Sequence, residues 1–522
     1  MKTLCIMAGS LLLLCTSACI KPELPVAAED ASVALVEYRP VEFTPMHADG
    51  VQERERNFNL TPIGDLERTP RDYVRATVTI RSTGAARVTI AFVDIIDREL
   101  RGRPVELLPN QETEVSVDIR QAGRPISMLR TVRLYVQGQP VEVLDLRIVC
   151  AVEKLPEPDA IVQGLKDHTS IQAALDSLGA DGGVVYIPAG VYQIGAQVMV
   201  PCDNVTIYGE GQATVLKATW YDARALLMMK GKSNIRVTRL RFMGWPEKAF
   251  RGYTEKAHAA TLQDVGRKDN VMTRAVDIDD CDNVRFDHCT VELFGHTGLL
   301  IRGEGLVVVD HCFFQKNFRY GFGYGVVPDA TRKCYIEDNS FENHRHGVAG
   351  KANSRATYTC RFNRFVKDIR AVPTDGWSQV NSHEIDVHHG CGWLYSHDNY
   401  VEMKNARMSS AVALRGNSAW VWRHLIVNTN IGIRVMGASH DVWAWDNSFR
   451  NVDRPYSSTA TGKVHFDRKP ANFAEIPYPH AFNCAGWWPG ADDRPLRIVR
   501  PDAQFHGPAR APGLEFVPTS AN

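Results

Sequence analysis

Apolar and polar residues alternate through the first part of the chain. Between Val33 and Val152, period-two runs such as Arg75-Ala-Thr-Val-Thr-Ile-Arg81, Arg87-Val-Thr-Ile-Ala-Phe-Val93 and Thr131-Val-Arg-Leu-Tyr-Val136 are separated by Gly, Pro and Asn turns. Such runs present one apolar face per strand, and a series of them joined by turns predicts an antiparallel β-sandwich over 33–152. A short helix is expected next, with Ser170 as N-cap and Ile171, Ala174, Leu175 and Leu178 on one face.

The pattern then becomes a repeat. Asn283-Val-Arg-Phe-Asp-His-Cys289, Leu306-Val-Val-Val-Asp-His-Cys312, Lys333-Cys-Tyr-Ile-Glu-Asp-Asn339, Thr357-Tyr-Thr-Cys-Arg-Phe-Asn363 and Trp393-Leu-Tyr-Ser-His-Asp-Asn399 are variants of one phrase. The phrases end at 240, 289, 312, 339, 363, 399, 425 and 447, so they are spaced by 49, 23, 27, 24, 36, 26 and 22 residues. A unit of 22 to 27 residues is one coil of a parallel β-solenoid, 49 is two coils, and 36 is a coil carrying an insertion of about ten residues. The fold class is therefore all-β: a sandwich followed, over 160–452, by a single-stranded right-handed parallel β-helix. Cys289, Cys312, Asn339, Asn363, Asn399 and Asn447 close the phrases and are expected to stack as a structural ladder. Residues 453–522 lack the period and read as an irregular extension.

After each ladder residue a second strand can be aligned: Ala275–Asp279, Gly298–Arg302, Gly321–Gly325, Gly347–Lys351, Glu384–His388, Ala411–Arg415 and Gly432–Met436. Third and fifth positions should face outward. One outward column then reads Asp277, Leu300, Gly323, Ala349, Asp386, Ala413, Arg434, and the other Asp279, Arg302, Gly325, Lys351, His388, Arg415, Met436. Lys351, His388 and Arg415 fall in a row with Asp386 beside them, small residues leave room for a groove, and Arg345-His346 and His383 precede the same strands. Lys351, Arg415, Arg302, Arg434, Tyr320 and Trp377, the last in the insertion, are expected to bind substrate.

The segment Gly182-Gly-Val-Val-Tyr-Ile-Pro-Ala-Gly-Val-Tyr192 resembles the start of pectate-lyase-like and polygalacturonase-like β-helices. Arg345-His346, Tyr358, Phe362-Asn363 and Ser382-His-Glu-Ile-Asp-Val-His388 are similar to a pattern of bacterial β-helix proteins that act on polysaccharides, and Asp386-Val-His388 is similar to the Asp-Pro-His of mannuronan C5-epimerases. The resemblance implies catalytic roles for Arg345, His346, Tyr358, His383, Asp386 and His388. Lyases and epimerases of uronic acids both begin by removing the C5 proton after the carboxylate has been neutralised, which suits Arg345 or Arg415. His383 or His346 would be the base, and His388, oriented by Asp386, or Tyr358 would protonate the leaving oxygen. The expected substrate is a uronic-acid-containing polysaccharide, and the expected reaction β-elimination or C5 epimerisation. A polygalacturonase-like hydrolase, suggested by Asp279-Asp280 and Gly295-His296, and a non-catalytic glycan binder are the alternatives. No cofactor is expected, with calcium on Asp277, Asp279 and Asp386 as the one candidate.

Composition narrows the setting. The 522 residues are 44% hydrophobic and 23% charged with zero net charge, so no global basic surface points to nucleic acid. Lys2, the apolar run Leu4–Leu14 and Thr16-Ser17-Ala18-Cys19 resemble a bacterial lipoprotein signal peptide, which implies lipidation at Cys19, and Ile20 after the cysteine favours the outer membrane. Residues 20–32 read as a tether, so the membrane partner would be reached only through the lipid. Of 12 cysteines, nine lie beyond the export segment without metal-ligand spacing, as expected for buried thiols.

Overall fold

The computed structural model describes residues 33–38, 46–48, 54–59, 72–118, 129–153, 155–220, 224–244, 272–317, 322–331, 333–368, 382–437, 439, 441–471 and 473. Cys19, Tyr320 and Trp377 lie outside them. Among the described residues no helix is long and apolar enough to cross a membrane.

Two antiparallel sheets form the N-terminal sandwich. Val141–Glu153 pairs with Val33–Tyr38, Met46–Ala48 and Asp72–Ser82 in one sheet, and Leu129–Gly138 pairs with Arg54–Asn59 and Ala86–Asp94 in the other. The alternating apolar residues meet between the sheets, where Val78, Ile90, Val117, Leu134 and Ile148 are fully or almost fully buried.

A right-handed parallel β-solenoid of about 10 turns follows. Its first turn is capped by the helix His168–Asp176. Asp167, rather than Ser170, is the N-cap: its carboxylate accepts the Ser170 N–H at 3.0 Å. Aspartate is the stronger cap here because it also accepts from the Thr169 hydroxyl at 2.7 Å.

The middle coils have three strands rather than two, whereas from Tyr400 on the second and third run together as one strand, as in Tyr400–Leu414 and Leu425–Val435. The coil that starts at Lys333 runs through Lys333–Glu337, Ser340–Glu342 and His346–Gly350, and the next through Thr357–Arg361, Arg364–Asp368 and Ile385–Val387. The middle strand is only a few residues long, too short to show a period. First strands stack into a 12-stranded parallel sheet, and third strands form the face on which the histidines lie.

The ladder sits between first and second strands. Each of its members follows a residue of positive φ: Asp338 (53°) before Asn339, Phe362 (56°) before Asn363, Asp398 (55°) before Asn399 and Arg423 (52°) before His424. The ladder residue of that last coil is thus His424 rather than Leu425. The Asn363 amide donates to the Ile336 carbonyl at 2.8 Å, and its oxygen accepts the Asn339 backbone N–H at 3.0 Å. Asn399 repeats the second bond toward Asn363 at 2.9 Å. Cys202, Cys281, Cys289, Cys312, Cys334, Cys360 and Cys391 are free thiols, and Cys289 and Cys312 fill the same ladder position.

The core beneath the third strands explains several glycines. Phe314, Phe341 and Phe365 stack at 4.8 and 4.7 Å. A Cβ on Gly347 would lie 2.6 Å from Phe365, and one on Gly325 would lie 2.8 Å from Phe341. Gly325 therefore makes room inward for a ring, not outward for a groove. Parallel pairing also continues past Val452: Ser448–Ser458 and Lys463–Phe466 add to the stack. Neither holds a fully buried residue, Ser448–Ser458 being largely exposed and Lys463–Phe466 mostly half-buried, so their sequence carries no buried period.

The first sheet bears a row of charge pairs on its outer side, including Arg236 on Asp287 at 2.7 Å and Arg423 on Asp398 at 2.7 Å. Arg98 of the sandwich joins Asp398 at 3.0 Å.

Asn363→Ala should lower stability by about 2–4 kcal/mol, because it orphans the buried Ile336 carbonyl and Asn339 N–H. The midpoint of chemical unfolding measures this; an unchanged midpoint would mean that the amides do not hold the coils.

Candidate active site

Parallel register decides which residues meet. Tyr324, His346, His383 and Ser410 occupy one position on four successive coils, as the pairings Tyr324↔His346, Val348↔Ile385 and Ile385↔Val412 require. Coils repeat at about 4.8 Å, close to the thickness of stacked rings. The rings respond: Tyr324 and His346 stack at 5.3 Å and 4°, His346 and His383 at 5.7 Å and 10°. Ser410 closes the column, its hydroxyl 2.8 Å from His383 Nδ1.

Asp386 and His388 project from the strand that follows His383. The His388 Nε2 lies 2.8 Å from Asp386 Oδ2, the His346 Nε2 lies 3.3 Å from the same oxygen, and Arg415 from the next coil pairs with it too. Five of the residues singled out for catalysis, Arg345, His346, His383, Asp386 and His388, are thus brought together. Asp386 and His346 are fully buried, whereas His388 and Arg415 expose about a quarter of their side chains.

Burial pushes the Asp386 carboxyl upward, but His346, His388 and His383 outweigh it and hold the group well below its usual value. Burial drives His346 far down as well, against the opposing pull of Asp386. His383 falls to about 4, again chiefly through burial, so both rings are neutral at neutral pH. His346 Nδ1 is 2.8 Å from the His383 carbonyl, so Nδ1 carries the proton and Nε2 presents a lone pair toward Asp386. Among the described residues neither that Nε2 nor Asp386 Oδ1 has a hydrogen-bond partner.

Tyr324 escaped the sequence alignment. Its hydroxyl accepts from Arg345 Nη1 at 2.9 Å, the guanidinium lies 5.6 Å over its ring, and its ring meets His388 edge-on at 6.2 Å. Burial raises its phenol, which stays protonated. The strand of this coil is Tyr324–Asp329 rather than one beginning at Gly321, and Gly325 is the counterpart of Gly298 and Gly347. The shift puts Val327 and Asp329, not Gly323 and Gly325, in the outward columns.

That correction reassigns two cations. Lys351 pairs with Asp329 at 2.9 Å and Arg302 with Asp279 at 3.1 Å, so each already holds a carboxylate on a neighbouring coil. Arg434 lies in the Asp386 column, two coils on beyond Ala413, and no described carboxylate pairs with it. Tyr358 is in the wrong compartment: its ring is fully buried in the solenoid core and its hydroxyl donates to the Asp386 backbone carbonyl at 3.3 Å from inside. It supports the strand from within and cannot touch a substrate. The calcium grouping also falls apart, since Asp277 is clamped by Arg274 at 2.6 Å, Asp279 holds Arg302, and both are four coils from Asp386.

A buried pair braces the site from below. Lys367 and Glu384 meet at 2.7 Å, both wholly buried, and the Lys367 ammonium also donates to the carbonyls of Arg345 at 3.0 Å and Ser382 at 2.9 Å. Those carbonyls immediately precede His346 and His383. A charged residue in a middle strand, where its partner on the next coil is Met403, was the only signal in the sequence.

These features define a right-handed parallel β-helix. Residues 163–370 match the family model described as "Rhamnogalacturonase A/epimerase, pectate lyase-like". This fold family typically consists of carbohydrate-active enzymes, hydrolases and lyases alike. Among solved structures, ORF18 of Geobacillus virus E2 is similar at 14% identity, covering 57% of this chain and 58% of its own, with a TM-score of 0.39. An exopolygalacturonase from Thermotoga maritima is 12% identical over 60% of this chain and 94% of its own, TM-score 0.37. An alginate lyase from Paenibacillus sp. is 11% identical over 58% and 99%, TM-score 0.33. The chain thus spans little more than half of the viral protein. No curated protein matches it.

Lys367→Met should destabilise the protein by about 3–5 kcal/mol, because it strands the Glu384 carboxyl without its partner. Replacing both residues by methionine should recover much of that loss in chemical unfolding. A double variant as unstable as the single one would show that the two are not coupled.

Proposed function

We propose that the protein is a lyase that β-eliminates, or an epimerase that inverts at C5, uronic-acid residues of an acidic polysaccharide. The observation that carries this reading is the make-up of the site face: two arginines and three histidines around one carboxylate. A hydrolase of the two-carboxylate kind needs a second acid across the bond, and Asp386, ion-paired and held ionised, makes a poor acid. Asp279 and Asp280, which had suggested such an enzyme, are poorly suited: one is paired with Arg302 and the other makes a turn at φ 51°.

In this reading Arg415 and Arg434 receive the uronate carboxylate, which the transition state loads with further negative charge. His383 lies next to Arg415 in the stack of coils. Its Nδ1 is engaged by Ser410, which leaves Nε2 to take the C5 proton. The Tyr324 phenol, polarised by Arg345, supplies the proton to the leaving oxygen in the lyase, or to the opposite face of C5 in the epimerase. The same reading places the protein in the cell envelope, anchored through Cys19, where such a polymer would be met.

His383→Ala should reduce turnover by about 100- to 10,000-fold while circular dichroism stays that of the parent. The assay is a panel of acidic polysaccharides followed for the absorbance of an unsaturated uronic acid, with proton exchange at C5 for the epimerase. New reducing ends without unsaturation would establish hydrolysis and overturn the proposal.

A further inference from the structure

The proposed reaction leaves His346, Asp386 and His388 without a task, and their geometry points to a divalent transition-metal site. One ligand atom from each lies within 4.8 Å of the other two. His346 is fixed with its proton on Nδ1 by the His383 carbonyl, and its Nε2 lone pair faces a carboxylate 3.3 Å away with no donor between them. Two buried acceptors confronting one another call for a cation or a proton in the gap. Asp386 Oδ1 is likewise buried and unpartnered, while Oδ2 is already held by Arg415 and His388.

This is the arrangement that metal ligation uses. The second nitrogen of a ligating imidazole donates to a carbonyl, as His346 does, and the second oxygen of a ligating carboxylate is tied down, as Arg415 ties it. Asp386 Oδ1 and His346 Nε2 would bind directly. His388 joins by carrying its proton on Nδ1 and turning Nε2 from Asp386 to the ion. Two imidazoles and one carboxylate suit Zn2+, Co2+, Ni2+, Mn2+ or Fe2+ with open positions for a sugar oxygen, and not calcium, which takes six to eight oxygen ligands. The guanidinium of Arg415 opposes a dication, but it is ion-paired with Asp386, and the carboxylate offsets part of both charges.

The site stands or falls apart from the reaction proposed above, because it is read by binding. Protein stripped with a chelator is titrated with Zn2+ alone in a calorimeter, and Co2+ is added separately to follow its visible absorption. The expected result is one high-affinity ion per chain, a Co2+ spectrum of low coordination number, and at least about 100-fold weaker binding in His388→Gln and Asp386→Asn. His388 is partly exposed, so its replacement keeps the fold testable by circular dichroism. Absence of binding in the folded parent, or binding that His388→Gln leaves unchanged, would overturn the site even if lyase activity were found. Binding without any activity would sustain it.

Discussion

In-register parallel stacking at about 4.8 Å converts each position of a coil into a column, and everything else in this molecule depends on that constraint. A residue acquires neighbours about 25 positions away on either side, of its own type or of a complementary one. Where the column is inside, the solution is rings on rings, as in Phe314, Phe341 and Phe365, with glycine wherever a ring needs space. At the turn it is an amide that serves the coil beside it, as Asn363 serves Asn339 and is served by Asn399. At the outer corner it becomes Tyr324 on His346 on His383. The candidate site is therefore a local use of the same stacking that makes the core.

Burying charge inside such a stack is costly, and the chain does so only with partners. Lys367 and Glu384 neutralise each other and spend the remaining ammonium protons on the two carbonyls that lead into the histidines. Asp386 is ringed by Arg415, His388 and His346. Among the buried polar atoms without a partner in the described residues are His346 Nε2 and Asp386 Oδ1, and unsatisfied buried groups of this kind concentrate where a ligand completes the structure.

The repeat could be read from the sequence because it depends on spacing: phrases that end in Cys or Asn after an Asp or His state the coil length directly. The clustering of His346, His383, Asp386, His388 and Arg415 could be read for the same reason, since alignment of strands is alignment in space. Misreadings arose where the local pattern was ambiguous. Gly321 and Gly325 both offer a glycine before apolar residues, and choosing the wrong one hid Tyr324 and the partnership of Asp329 with Lys351. Tyr358 lies on a strand whose inward side is told from its outward side only by knowing which residues face the core. The Lys367–Glu384 pair left little trace because Lys367 lies in a middle strand and Glu384 just before the third, and the two meet only inside the solenoid.

The central claim is that the third-strand face binds uronate chains through arginine. A crystal structure of the protein with a bound oligouronide tests it most directly. The account predicts a sugar carboxylate hydrogen-bonded to Arg415 or Arg434, with the C5 hydrogen directed at His383. An oligosaccharide lying instead along Trp393 and Trp443 on the first sheet, its carboxylates away from both arginines, would contradict it.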